Sequence, residues 1–174
     1  ALRGVYRDLL NAYGPQHWWP AEEPFEVMVG AVLTQSTSWR NAELAIDCLK
    51  AAGAMTPEAL RNLPLSRLAS LVYSSGYYNA KARKLQALAV WLGDEYRDDI
   101  GRLSATETSL LRRQLLAVHG IGEETADSII LYAVSQPVFV IDAYTRRIFN
   151  RLGGRDDGFA LALEGDSYPA YQLL

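Results

Sequence analysis

Apolar positions recur at helical spacing along most of the chain. Leu2, Val5, Tyr6, Leu9, Leu10 and Tyr13 fall at i, i+3, i+4, i+7, i+8 and i+11, one face of a helix that Gly14-Pro15 stops. After a loop containing Trp18-Trp19-Pro20, Pro24 opens a stretch over 25–33 that is apolar almost all round, and such a helix belongs at the centre of a fold. Ser38 is placed to cap a helix carrying Leu44, Ala45, Ile46 and Leu49, which Gly53 ends, and Thr56-Pro57 opens a short one. The pattern predicts further helices over 65–73, 79–92, 104–118, 123–134 and 144–152. Ser104-Ala105-Thr106-Glu107 reads as a capping box opening the helix over 104–118. Only 137–141 looks extended, so the predicted fold class is all-α, with no internal repeat and no low-complexity tract.

Composition narrows the classes. Of 174 residues, 49% are hydrophobic and 21% charged, enough to bury a core and too apolar for a disordered chain. The formal charge of −3 argues against a protein that coats polyanions through bulk charge, yet it leaves room for a local basic face. Basic residues gather at Lys81, Arg83 and Lys84, at Arg112 and Arg113, and at Arg146, Arg147 and Arg151. The single cysteine, Cys48, provides neither an internal disulfide nor a multi-cysteine metal site. No apolar run reaches the roughly 18 residues of a membrane helix, and the start lacks the apolar core of a secretory signal. The expectation is a cytoplasmic, nucleoid-associated protein without membrane contact. The last residues, Leu173-Leu174, end an unfinished pattern, so the natural chain is expected to continue.

Two stretches carry chemistry. In Leu115-Leu116-Ala117-Val118-His119-Gly120-Ile121-Gly122-Glu123-Glu124-Thr125-Ala126-Asp127 a helix ends, a Gly-x-Gly turn follows and a second helix starts. Glycines let backbone approach a ligand closely, and the first N–H groups of the new helix point outward beside the positive end of its dipole. That suits one phosphate of a nucleic-acid backbone, although glycines that merely cap an ordinary helical hairpin would look the same. Downstream, Val138-Phe139-Val140-Ile141-Asp142-Ala143-Tyr144-Thr145-Arg146-Arg147 sets a carboxylate at a helix entry, which serves either as an N-cap or as a reactive acid.

The hairpin, the link to Asp142, and the segments Ala31-Val32-Leu33-Thr34-Gln35-Ser36-Thr37 and Gly76-Tyr77-Tyr78-Asn79-Ala80-Lys81-Ala82 are collinear motifs. Over roughly residues 1–155 the chain resembles the helix-hairpin-helix DNA glycosylases of the endonuclease III superfamily. The resemblance implies a six-helix bundle over 22–133 that ends in the hairpin at about 110–133, and a second helical part from 1–21 and 134–174. A base pocket is expected in the cleft between the two parts, with Asp142 facing the hairpin.

Bifunctional members of that superfamily carry a lysine in Gly-x-Gly-x-Lys-Thr-Ala. Glu124 stands at the matching position here, and a carboxylate cannot form a Schiff base. The implied reaction is therefore monofunctional, with water attacking C1′ and no lyase step. Trp18, Trp19 and Trp39 are similar to residues of the narrower 3-methyladenine DNA glycosylase III subfamily that sandwich the extruded base. An electron-rich ring face suits a methylated purine nucleotide, which carries positive charge. Asp142 is then the group that stabilises the developing sugar cation and positions water, with Glu124 assisting.

The remaining roles implied by the resemblance are DNA contacts. Gln35 fills the gap left by the flipped nucleotide and Tyr77 wedges the opposite side. Gly120, Gly122 and the backbone of Glu123 through Thr125 hold phosphate, with Lys81 adding a charge. Hairpin carbonyls near Val118 are candidates for a monovalent cation, whereas His119 reads as structural. No other cofactor and no metal is expected within these residues, and the four cysteines of a family iron–sulfur cluster would lie past the last residue. The expected partner is duplex DNA containing damaged bases, bound by a monomer. The rival readings are a uracil or mismatched-thymine glycosylase, a bifunctional glycosylase/lyase, and a DNA-binding module without chemistry.

Overall fold

The computed structural model describes residues 2–16, 18–153 and Tyr168. Among these residues there are ten α-helices and no strand, so the fold is all-α as the apolar periodicity predicts. The chain divides into two compact units, one comprising Ala21–Val138 and the other Ala1–Pro20 with Phe139–Leu174. Among the described residues no helix is long and apolar enough to cross a membrane.

The unit Ala21–Val138 is built around α2 (Pro24–Leu33), whose residues from Phe25 to Leu33 are all buried. Its one acidic side chain, Glu26, pairs with Lys50 at 2.9 Å, which answers a carboxylate that burial alone would penalise. Lys50 lies on α3 (Trp39–Ala51), whose N-cap Ser38 accepts from the Asn41 N–H, and which buries Ala42, Ala45, Ile46 and Leu49. Leu44, expected with that inward set, is instead 48% exposed, because it falls off the i, i+3, i+4, i+7 stripe. α4 (Pro57–Asn62), capped by Thr56, and α5 (Leu65–Leu71) lie against the 19-residue α6 (Tyr78–Tyr96).

The start of the next helix differs from expectation. A five-residue α7 (Ile100–Ser104) is capped by Asp99, and α8 (Thr108–Ala117) begins only after Glu107. Ser104 therefore ends a helix. The Glu107 carboxylate itself caps α8, accepting from the Ser109 and Leu110 N–H groups at 3.0 Å each. α9 (Glu123–Ser128) then continues into a π-helical turn, Ile129–Ala133.

In the other unit, α1 (Leu2–Tyr13) and α10 (Ala143–Gly153) are the helices described. The Phe139 and Phe149 rings stand 6.0 Å apart. Tyr6, Leu9, Leu10 and Tyr13, the apolar stripe of α1, remain exposed.

Candidate functional site

The hairpin between α8 and α9 is set by two devices. The Ile121 N–H donates to the Val118 carbonyl at 3.1 Å, closing the turn. Arg112 of α8 clamps Asp127 of α9, with Nε–Oδ1 at 2.8 Å and Nη2–Oδ2 at 3.2 Å, and the Asp127 side chain is fully buried. Arg112 also lies 3.7 Å from Glu123 at the start of α9.

The two hairpin glycines are glycine for different reasons. Gly120 has φ +81°, and a Cβ there would stand 2.3 Å from Cγ of Lys84, so both backbone and packing demand the bare residue. Gly122 is extended, at φ −97° and ψ −179°, and a Cβ there would meet open space. Among the described residues no packing contact requires a glycine at 122.

Gln35 joins the loop after α2 to this hairpin. Its Nε2 donates to the Gly120 carbonyl at 3.2 Å and to Thr125 Oγ1 at 2.9 Å, and its Oε1 accepts from Lys84 Nζ at 2.5 Å. Gln35, Gly120 and Thr125, singled out from sequence, are thus brought into one polar cluster, to which the structure adds Lys84.

Asp142 caps α10. Its Oδ1 accepts from the Thr145 N–H at 2.7 Å and from the Thr145 hydroxyl at 2.8 Å, while Oδ2 accepts no hydrogen bond among the described residues. One oxygen thus holds the carboxylate in place. The preceding residue is fixed too, since the Ile141 N–H donates to the hydroxyl of the buried Tyr168 at 3.2 Å.

A hairpin of this build, followed by a short link and a capping aspartate, accompanies a family match over residues 29–159, to the HhH-GPD superfamily base excision DNA repair protein. The chain belongs to the HhH-GPD superfamily. A candidate DNA repair glycosylase, MJ1434 of Methanocaldococcus jannaschii, is 44% identical over 151 residues, which cover 86% of this chain and 68% of that one. Endonuclease III of Thermotoga maritima is 30% identical over 152 residues, covering 87% of this chain and 66% of the relative. The chain thus spans about two thirds of the length of each. Among solved structures, 3-methyladenine DNA glycosylase (MagIII) of H. pylori, bound to 1,N6-ethenoadenine, superposes with a TM-score of 0.78 and 30% identity. That match covers 99% of this chain and 77% of the other. These likenesses put the HhH-GPD chain in the class of DNA repair glycosylases, with the fold expected of them.

The other residues expected to serve an HhH-GPD enzyme are placed as follows. Lys81 is a correction: it is 1% exposed, and its Nζ donates to the Leu33 carbonyl at 2.9 Å and the Ser75 carbonyl at 2.5 Å. It does not offer a charge to DNA but ties the end of α2 to the turn Tyr73–Ser75. Burial, with the Lys84 charge adding to it, pushes the Lys81 ammonium down to about 8. The signal was present in the sequence, because Lys81 shares the stripe of Leu85, Leu88 and Leu92, all buried on α6.

Tyr77 is 75% exposed and enters α6 from a left-handed conformation, φ +47°. Trp39 is half-buried in the first turn of α3. In the other unit Trp18 is 58% exposed, and Trp19 is half-buried with φ +86°. Glu124 is exposed in the first turn of α9, its carbonyl accepting from the Ser128 hydroxyl at 2.7 Å. His119 is exposed on the turn. Among the described residues no cluster of three or more His, Cys, Asp or Glu could hold a metal ion.

Proposed function

We propose that the protein is a monofunctional glycosylase that removes alkylated purines, with 3-methyladenine as the type substrate, from duplex DNA. The observation that carries the reading is Glu124, exposed in the first turn of the hairpin's second helix where bifunctional relatives need an amine. A carboxylate there cannot form the Schiff base that strand cleavage needs, and in this reading the nucleophile is water. Trp39 and Trp18 supply ring faces suited to a cationic base, and the likeness to a 3-methyladenine glycosylase holding an ethenoadenine supports that choice.

The chemistry asks little of the protein. The C1′–N bond breaks with its electron pair staying on the base, which neutralises the alkylated purine. Water adds to C1′ and gives up a proton, leaving an abasic sugar. Asp142, with Oδ1 held by Thr145, presents Oδ2 as a fixed negative charge for the developing sugar cation and as the acceptor for the water's proton. Gly122 lets a DNA phosphate approach the hairpin backbone.

The test uses duplex DNA treated with a methylating agent, with released bases identified and strands examined before and after alkali. Release of 3-methyladenine with breaks only after alkali is the expected result. A protein–DNA adduct trapped by borohydride would refute the monofunctional chemistry. Release of uracil alone from uracil-containing DNA would refute the substrate.

A further inference from the structure

The functional reading leaves Lys84 without a role. Its stem crosses the face of Gly120 so closely that no side chain fits there, and its ammonium ends at Gln35 Oε1, 2.5 Å away. A side chain held this tightly at the hairpin would ordinarily be expected to pair with a carboxylate. Among the described residues none pairs with Lys84; the hairpin's Glu123 faces Arg112 instead. An ammonium has three donors, and its one hydrogen bond among the described residues goes to a neutral acceptor. Gln35 is committed on both sides, since its two amide hydrogens go to Gly120 and Thr125 while its oxygen holds Lys84.

We infer that Lys84 is the cation that contacts the DNA phosphate at the hairpin, held ready by Gln35 in the free protein. The inference deepens the glycosylase reading and rests on it. Exchanging the neutral amide oxygen of Gln35 for an anionic phosphate oxygen turns an ion–dipole bond into an ion pair, which adds Coulomb attraction to the same donor. The same exchange removes the bond from α6, one of the three that hold the Gln35 amide, and leaves its two bonds to the hairpin. Lys81, the neighbouring cation on α6, is buried on carbonyls and takes no part.

The experiment measures binding of the whole protein to a duplex containing a stable abasic-site analogue across a range of salt concentrations. Lys84→Gln is expected to weaken binding about tenfold at low salt and to lower the slope of log K against log salt by about 1, the amount for one lost phosphate contact. Lys84→Arg keeps the charge and is expected to restore the slope, which a purely structural role for Lys84 would not produce. Thermal melting of Lys84→Gln, compared with the wild type, separates a lost contact from a damaged hairpin. A wild-type slope that Lys84→Gln leaves unchanged overturns this inference alone. Wild-type binding that does not weaken with salt overturns the glycosylase reading and the inference together.

Discussion

Lys81→Met tests how a buried cation holds the bundle together. In the wild type the ammonium satisfies the Leu33 and Ser75 carbonyls from a site with 1% exposure. The other carbonyls of the last turn of α2 are taken, Gly30 and Val32 by backbone N–H groups and Ala31 by the Thr34 hydroxyl, so Lys81 completes that helix end. Methionine fills the stem's volume but leaves both carbonyls unanswered, at about 1 to 3 kcal/mol each. It also removes the cost of burying the charge.

The pH dependence isolates that cost. The folded-state value is about 8 against an ordinary 10.5, so between those limits the unfolded chain binds more protons than the folded one. Stability of the wild type relative to Lys81→Met therefore rises with pH, by about 1 kcal/mol per unit and about 3 kcal/mol across the window. Denaturant unfolding of both proteins at intervals from pH 7 to about 10 measures the difference directly. A difference that stays flat, or falls, over that range would refute the argument, because it would mean the carbonyls hold the charge as well as water does.

Three further outcomes are expected. Asp142→Asn keeps an N-cap for α10, since asparagine caps about as well as aspartate, so DNA binding persists while base release falls by at least about a hundredfold; undiminished release in a single-turnover assay removes Asp142 from the mechanism. Gly122→Ala is expected to leave the melting temperature unchanged and to weaken DNA binding, whereas Gly120→Ala costs more than about 1 kcal/mol of stability through its positive φ and the Lys84 stem; calorimetry with a binding titration separates the two. Asp127→Ala removes both bonds that join Arg112 to α9, leaving the guanidinium with Glu123 at 3.7 Å, and is expected to cost about 2 kcal/mol by chemical denaturation.

Much of the fold was legible because long apolar stripes have a period. The helix ends at Tyr13 and Leu33 and the caps at Ser38 and Thr56 follow from Gly-Pro, polar and Ser/Thr-Pro signals that act locally. α7 was not legible, since five residues are too few to establish a period, and the spacing Ser104-x-x-Glu107 imitates a capping box that the chain does not form. At the site, the hairpin and Asp142 were read from residue order. The burial of Lys81 was in reach once the helical stripe is drawn through the basic cluster, but the contact of Lys84 with Gln35 and Gly120 was not, because it joins segments distant in sequence. Nor could sequence show that Gln35 reaches Gly120, 85 residues away, or that Arg112 finds Asp127 across the hairpin.

The cap on α10 also sets the timing of the proposed reaction. A free carboxylate rotates, and stilling it at the moment of bond breaking would add an entropic barrier on the order of 1 kcal/mol. In this protein Thr145 has already stopped the rotor when the helix forms, through two bonds to the same oxygen. The ordering cost falls on folding, once per molecule, and not on each turnover. Asp142 and Thr145 therefore behave as one inherited part: a chain that exchanged the threonine would keep the charge and the N–H bond but lose the hydroxyl that steadies the same oxygen.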